Sequence, residues 1–230
     1  MRGLFGVVAG IGLPWMLAAQ RPAAARTCNL ELNNYDSTTT LAIKMPSGDY
    51  NSFYGRGVRG RCTNTDQRLS GDSLEAIGDT KSYTIIGHAH YTEKRVQLDA
   101  DRIYYYQVEE RVVAEGNVVA TTDKGTRLRG PRAEYFRAIP ASRPLSRLVA
   151  TGRPVTRLSP ADAGGGAKDT MELVADHMVS VGDSLIYAGG SVVIARPDLK
   201  AVSDSATMDV GTEWSRLTGR PRVDGLGESK

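Results

Sequence analysis

The sequence predicts an all-β protein: an elongated antiparallel array built from units of about 30 residues. Three observations predict it. A glycine recurs inside apolar-alternating runs, at Tyr54-Gly55-Arg56-Gly57-Val58, Ile85-Ile86-Gly87-His88-Ala89, Ala114-Glu115-Gly116-Asn117-Val118, Ala150-Thr151-Gly152-Arg153-Pro154, Ala188-Gly189-Gly190-Ser191-Val192 and Leu217-Thr218-Gly219-Arg220-Pro221. From Gly57 onward the steps are 30, 29, 36, 38 and 29 residues. A second mark, a small residue followed by an acid, recurs at Gly71-Asp72, Ala100-Asp101, Ala175-Asp176 and Ser203-Asp204, with Gly130-Pro131 in the equivalent place of the third unit. Between the marks the pattern has period two, which is the period of a strand with one buried and one exposed face.

Parity assigns the faces. With the glycine position taken as inward, Ile85, Ala89 and Tyr91 share one face. So do Val112, Ala114, Val118 and Ala120; Leu148, Ala150 and Pro154; Ile186, Ala188, Val192 and Ile194; and Leu217, Pro221 and Val223. The other face carries His88, His90, Glu115, Asn117, Thr151, Arg153, Ser191, Arg220 and Arg222. Glycine weakens a strand, so its recurrence calls for a bend, a bulge or a close approach.

Taken in order, residues 1–25 read as a signal peptide: Arg2, an uncharged apolar run from Leu4 to Ala19, and Ala23-Ala24-Ala25 for cleavage. The run is shorter than the ~20 apolar residues a spanning helix needs and contains Pro14, which favours a removed signal over an anchor. Removing it takes away Arg2 and Arg21 and leaves 27 basic against 26 acidic residues, a net of +1, so the charge offers no argument for nucleic acid. Residues 26–52 read as an N-terminal edge segment, in which Leu41 to Pro46 is an edge strand ended by proline. Cys28 and Cys62 are the two cysteines, and in an exported chain they are expected to form a disulfide contributing about 3–4 kcal/mol on the chain-entropy account. The repeats occupy 53–223. Two loops lengthen them, Ala138 to Arg147 and Ser159 to Asp169. Residues 224–230 read as a polar tail.

No catalytic constellation stands out, so no enzymatic activity is expected. There is no nucleophile elbow, phosphate loop or paired-cysteine motif. His88 and His90 share a strand face, but a third metal ligand is not visible, and no metal or other cofactor is expected. The repeated aspartates, one per unit, suit a corner role with the carboxylate bonding nearby backbone amides better than calcium binding. Tyr104-Tyr105-Tyr106 cannot form one stacking platform, because consecutive residues on a strand alternate faces.

The units LDADRIYYYQVEERVVAEGNVVA (98–120), LRGPRAEYFR (128–137) with RLVATGRPV (147–155), and ELVADHMV (172–179) with YAGGSVVI (187–194) resemble the OstA-like domain of lipopolysaccharide transport. That is the domain of the periplasmic LptA-type protein, shared with the N-terminal part of the LptD outer-membrane translocon. The resemblance covers about residues 53–223 and rests on a tandem L-x-A-D-x-h…A-x-G-x-V pattern. It implies a twisted β-jellyroll, open and V-shaped in cross-section, in the periplasm. It implies lipid A acyl chains of lipopolysaccharide carried inside, and head-to-tail contact through edge strands with like-fold transport proteins or further copies. The groove is then expected to be lined by Ile85, Leu98, Val112, Val118, Leu128, Leu148, Leu173, Ile186, Val192, Ile194 and Leu217. Other readings are the membrane-anchored adaptor of the same system, a secreted structural or adhesive β-repeat protein without ligand, and a carbohydrate-active β-solenoid enzyme, which would need carboxylates about 5–10 Å apart.

Overall fold

The structure, a computed structural model, describes residues 28–34, 39–158, 170–182, 184–212 and 214–225. The targeting segment and the Ser159–Asp169 loop lie outside the described residues. Eighteen strands and no α-helix stand among those described. The strands belong to one hydrogen-bonded sheet in which every pairing is antiparallel. A corner running across the strands folds this sheet into two layers.

The upper layer holds β1 (Leu30–Asn34), β4 (Val58–Cys62), β5 (Arg68–Gly71), β12 (Val155–Leu158), β13 (Met171–Val174) and β18 (Arg222–Gly225). The lower layer holds β2 (Leu41–Lys44), β3 (Tyr50–Tyr54), β6 (Ser73–Ile77), β11 (Arg147–Thr151), β14 (His177–Val181) and β17 (Trp214–Thr218). Six longer strands cross the corner and serve both layers: β7 (Ser82–Glu93), β8 (Val96–Tyr106), β9 (Arg111–Thr122), β10 (Arg127–Phe136), β15 (Leu185–Arg196) and β16 (Leu199–Asp209). The last strand therefore takes in Asp224 and Gly225, which pair with Lys200 and Leu199. Among the described residues both ends of the array are open edges: β1 pairs only with β4 and β2 with β3, while β17 and β18 pair only with β16.

The two sequence marks turn out to be halves of one device. At Gly116-Asn117 both residues have positive φ, 75° and 48°, and the register slips against β8 between Asp99 and Arg102. A Cβ on Gly116 would come 2.3 Å from Asp101 Oδ2. Asn117 turns back and donates from Nδ2 to the same carboxylate at 2.9 Å. The bend, the bulge and the close approach thus coincide. The same glycine-then-residue pair with positive φ recurs at Gly87-His88, Gly190-Ser191 and Gly219-Arg220, facing Asp72, Asp176 and Asp204. Gly152-Arg153 faces Pro131, and Arg153 reaches across to Asp176 at 3.0 Å. Among the described residues these four carboxylates bond side chains, not the backbone amides expected from the sequence. The Asp backbone enters separately, with Asp72 N donating to Gly87 O at 2.9 Å.

The flanking residues face inward as parity requires. Val112, Ala114, Val118 and Ala120 on β9 are buried, as are Leu98, Ile103 and Tyr105 on β8. The exceptions are at the C-terminal edge, where Leu217 is half-buried and Pro221 and Val223 are exposed because no further described strand covers them. Tyr105 is buried between the layers, while Tyr104 and Tyr106 face outward. The buried residues fall into two clusters. The first runs from Cys28 to Ala150 and contains Tyr91, Tyr105 and Tyr135. The second runs from Leu158 to Met208 and is aliphatic apart from Met178 and Met208. Cys28 and Cys62 are disulfide-bonded, 5.1 Å apart at Cα, and tie the segment leading into β1 to the end of β4.

Candidate functional site

Between the two clusters lies a cleft of about 730 Å³, counting the space open to solvent. Val96, Ala120, Leu128 and Thr156 form its upper wall; Tyr135, Leu148, Met178 and Ile186 form the lower. β10 supplies both walls, because the corner at Gly130-Pro131 carries Leu128 into one layer and Tyr135 into the other. The floor is closed by Thr156, which is buried and reaches across to Met178 Sδ at 3.1 Å. Around the opening stand short polar groups: Thr122, Thr126, Ser146, Ser180 and Ser184, with Arg95 at the rim. The Thr122 hydroxyl is buried and has no hydrogen-bond partner within the described protein. An apolar slot with a polar lip has the general form of a site for a small amphiphilic group.

One end of the cleft is a wall of buried polar groups that joins the two layers opposite the corner. Arg137, just beyond β10 in the lower layer, pairs with Glu93 at the end of β7 in the upper layer and with Glu110 at 2.7 Å. Glu93 also accepts from the Tyr135 hydroxyl, and from Tyr91 at 3.3 Å. Gln67 is best satisfied with its amide oxygen toward the Tyr91 and Tyr105 hydroxyls and Arg137, and its nitrogen toward Thr65. Arg143 braces the assembly by donating to the Arg137 carbonyl at 2.5 Å and the Glu110 carbonyl at 3.2 Å. The side chains of Glu93 and Glu110 are 6% and 3% exposed, so these are charges held out of water.

Burial opposes the charge on Arg137, but the adjoining Glu93 and Glu110 carboxylates outweigh it and hold the guanidinium above its ordinary range. Burial, then the nearby carboxylates, pushes the Tyr91, Tyr105 and Tyr135 phenols upward. All three hydroxyls thus stay protonated and donate. The arrangement is a clasp: it shuts the space between the layers in the N-terminal half. Tyr135 belongs to both the clasp and the cleft wall.

No family model matches this sequence, and no curated protein is similar to it. Among solved structures it is similar to LptH, the LptA-homologous periplasmic component of the conserved lipopolysaccharide transport device of Pseudomonas aeruginosa, at 10% identity over 71% of this chain and 96% of that one, with a TM-score of 0.29.

The structure divides the residues expected to line a groove. Leu128, Leu148 and Ile186 line the cleft, although each is buried and also belongs to a core cluster. Ile85, Leu98, Val112 and Val118 are sealed in the first core cluster, and Leu173, Val192 and Ile194 in the second. Leu217 packs on the second cluster from an edge strand. The clasp residues Gln67, Glu93, Glu110 and Arg137 escape a reading by parity because they sit at strand ends, where polar residues ordinarily meet water. Their one sequence signal is Tyr91 and Tyr105, two inward tyrosines near strand ends whose hydroxyls need buried partners.

His88 bonds Asp72 at 2.9 Å and His90 bonds Asp99 at 2.7 Å. Among the described residues no group of three or more His, Cys, Asp or Glu side chains could hold a metal. The corner aspartates lie two or more strands apart, about 10 Å or further at the usual strand spacing, each tied to the residue that completes its corner.

Proposed function

We propose that the protein is a periplasmic carrier of lipopolysaccharide that holds acyl chains in the cleft and performs no chemistry on them. The observation that carries this reading is the cleft itself. Leu128, Leu148, Met178 and Ile186 form opposed apolar walls that would otherwise pack together, and the polar lip over them includes a buried hydroxyl without a partner. A gap between two apolar clusters with a few polar groups at its mouth is the usual form of a small-molecule site. The tandem units that resemble the OstA-like domain support lipopolysaccharide as the amphiphile. Like-fold transport proteins, or further copies, would add at the unpaired edges β1–β2 and β17–β18, where Leu41, Ile43, Trp214 and Val223 are exposed.

Depletion of the protein in its own cells, followed by measurement of lipopolysaccharide at the cell surface, tests the reading. Depletion is expected to lower surface lipopolysaccharide, and the purified protein is expected to release acylated glycolipid on solvent extraction. Unchanged surface lipopolysaccharide together with lipid-free protein would favour a ligandless β-repeat protein.

A further inference from the structure

The outward face of the upper layer carries an arrangement that the cleft does not use. The register sets Arg127 of β10 directly opposite Arg157 of β12, with Arg129 opposite Val155 in the next row on that face. The three arginines and Val155 enclose a shallow depression of about 520 Å³, counting the space open to solvent. Like charges placed directly opposite each other destabilise a sheet. Glu172 relieves one of them, accepting from Arg157 Nε at 3.2 Å. Arg127 and Arg129 have no carboxylate partner among the described residues.

The outward face of the lower layer is the internal control. There Arg111 lies over the Tyr106 ring at 4.2 Å and pairs with Glu109 and Glu134. Arg132 pairs with Glu115 and Glu134, and Arg147 lies over Phe136 at 4.6 Å. On that face each of these guanidinium groups is paired or stacked. On the upper face three gather around one depression with one carboxylate among them.

We infer that Arg127, Arg129 and Arg157 form a site for a phosphate group, supplied as a phosphorylated lipid headgroup or as free phosphate. Guanidinium forks present parallel N–H donors that match phosphate oxygens, and the bound anion would neutralise the opposed pair. The depression is on the opposite side of the sheet from the cleft, so the site does not depend on acyl chains being bound there.

The test uses the mature protein in three forms: wild type, the Arg127→Gln/Arg129→Gln double variant, and an Arg59→Gln/Arg68→Gln double variant. The last removes the same charge from the same layer away from the depression. Two probes separate the sources: pyrophosphate by calorimetry, and phosphatidylcholine vesicles with or without phosphatidic acid by co-sedimentation. Wild type is expected to bind at least one probe. The Arg127/Arg129 variant should lose about tenfold or more in affinity, while the Arg59/Arg68 variant stays within a few-fold. Pyrophosphate binding alone identifies free phosphate, whereas binding confined to phosphatidic acid vesicles identifies a headgroup. The bound probe should also raise the wild-type Tm and leave that of the Arg127/Arg129 variant unchanged. Failure of wild type to bind either probe, or equal losses in both double variants, would overturn the proposal.

Discussion

The two halves of the molecule are built from the same unit and close differently. In the N-terminal half, the space between the layers is filled by tyrosines and then laced shut by Arg137, Glu93, Glu110 and Gln67. The C-terminal half has the same corners, at Asp176 with Ser191 and Asp204 with Arg220, but its core is aliphatic and a cleft lies where the two clusters meet. The corner therefore sets the fold, and the strand ends opposite the corner decide whether it is sealed or accessible. A β-repeat protein needing only a core would gain by sealing both halves.

The largest effect that could break this contrast is at Arg137. Arg137→Met leaves Glu93 and Glu110 buried without their cation, and removal of one partner from such a buried pair costs about 3–5 kcal/mol. The midpoint of denaturant unfolding should fall accordingly, and adding Glu93→Gln and Glu110→Gln should recover part of the loss. A change below ~1 kcal/mol would show that the clasp is solvated and the N-terminal half is not sealed. The next effect compares two leucines. Leu98→Ala empties a position that is fully buried and should cost about 2–5 kcal/mol. Leu148→Ala, at a buried position that borders the cleft, should cost clearly less. Equal losses would mean that the cleft is packed shut in solution.

These contrasts show what a linear reading could reach. Period-two alternation was enough to place Ile85, Val112, Val118 and Ile186 inside, because side chains on a strand have only two directions. The glycine and acid marks were legible as repeats. Their union was not, since Asp101 and Gly116 lie on adjacent strands and meet only once the hairpin is paired. The clasp was less visible still. Gln67, Glu93, Glu110 and Arg137 come from four separate strand ends, and their burial follows from how the layers converge. For the same reason, alternation could assign Leu98 and Leu128 to the inward face but could not tell a sealed position from one at the cleft.

Smaller effects sharpen the corner. Gly116→Ala forces an alanine into a φ of 75° and drives its Cβ against Asp101. The left-handed backbone alone costs about 1–2 kcal/mol, and the crowding adds to it. Gly125→Ala, at a φ of 80° with open space around it, isolates the backbone part, so the difference between the two reports the crowding. The smallest effect is at His88. Its hydrogen bond to Asp72, followed by the attraction of that carboxylate, raises the imidazole above its ordinary value of 6.5. A raised histidine stabilises the folded state below the unfolded value, and the contribution is lost as pH rises through the folded value. An NMR titration should place His88 above 6.5, with Asp72→Asn moving it back down. An unshifted His88 would remove the charge from this corner.

The central claim, that acyl chains occupy the cleft and not the outer surface, is tested most directly by photo-crosslinking in cells. Probes at Leu128 and Ile186, on opposite walls of the cleft, should capture lipopolysaccharide. Probes at Val149, on the strand beside β10, and at Tyr187, next to Ile186 on β15, face outward on the lower layer and should not. Capture at all four positions alike, or at the outward pair alone, would contradict the account.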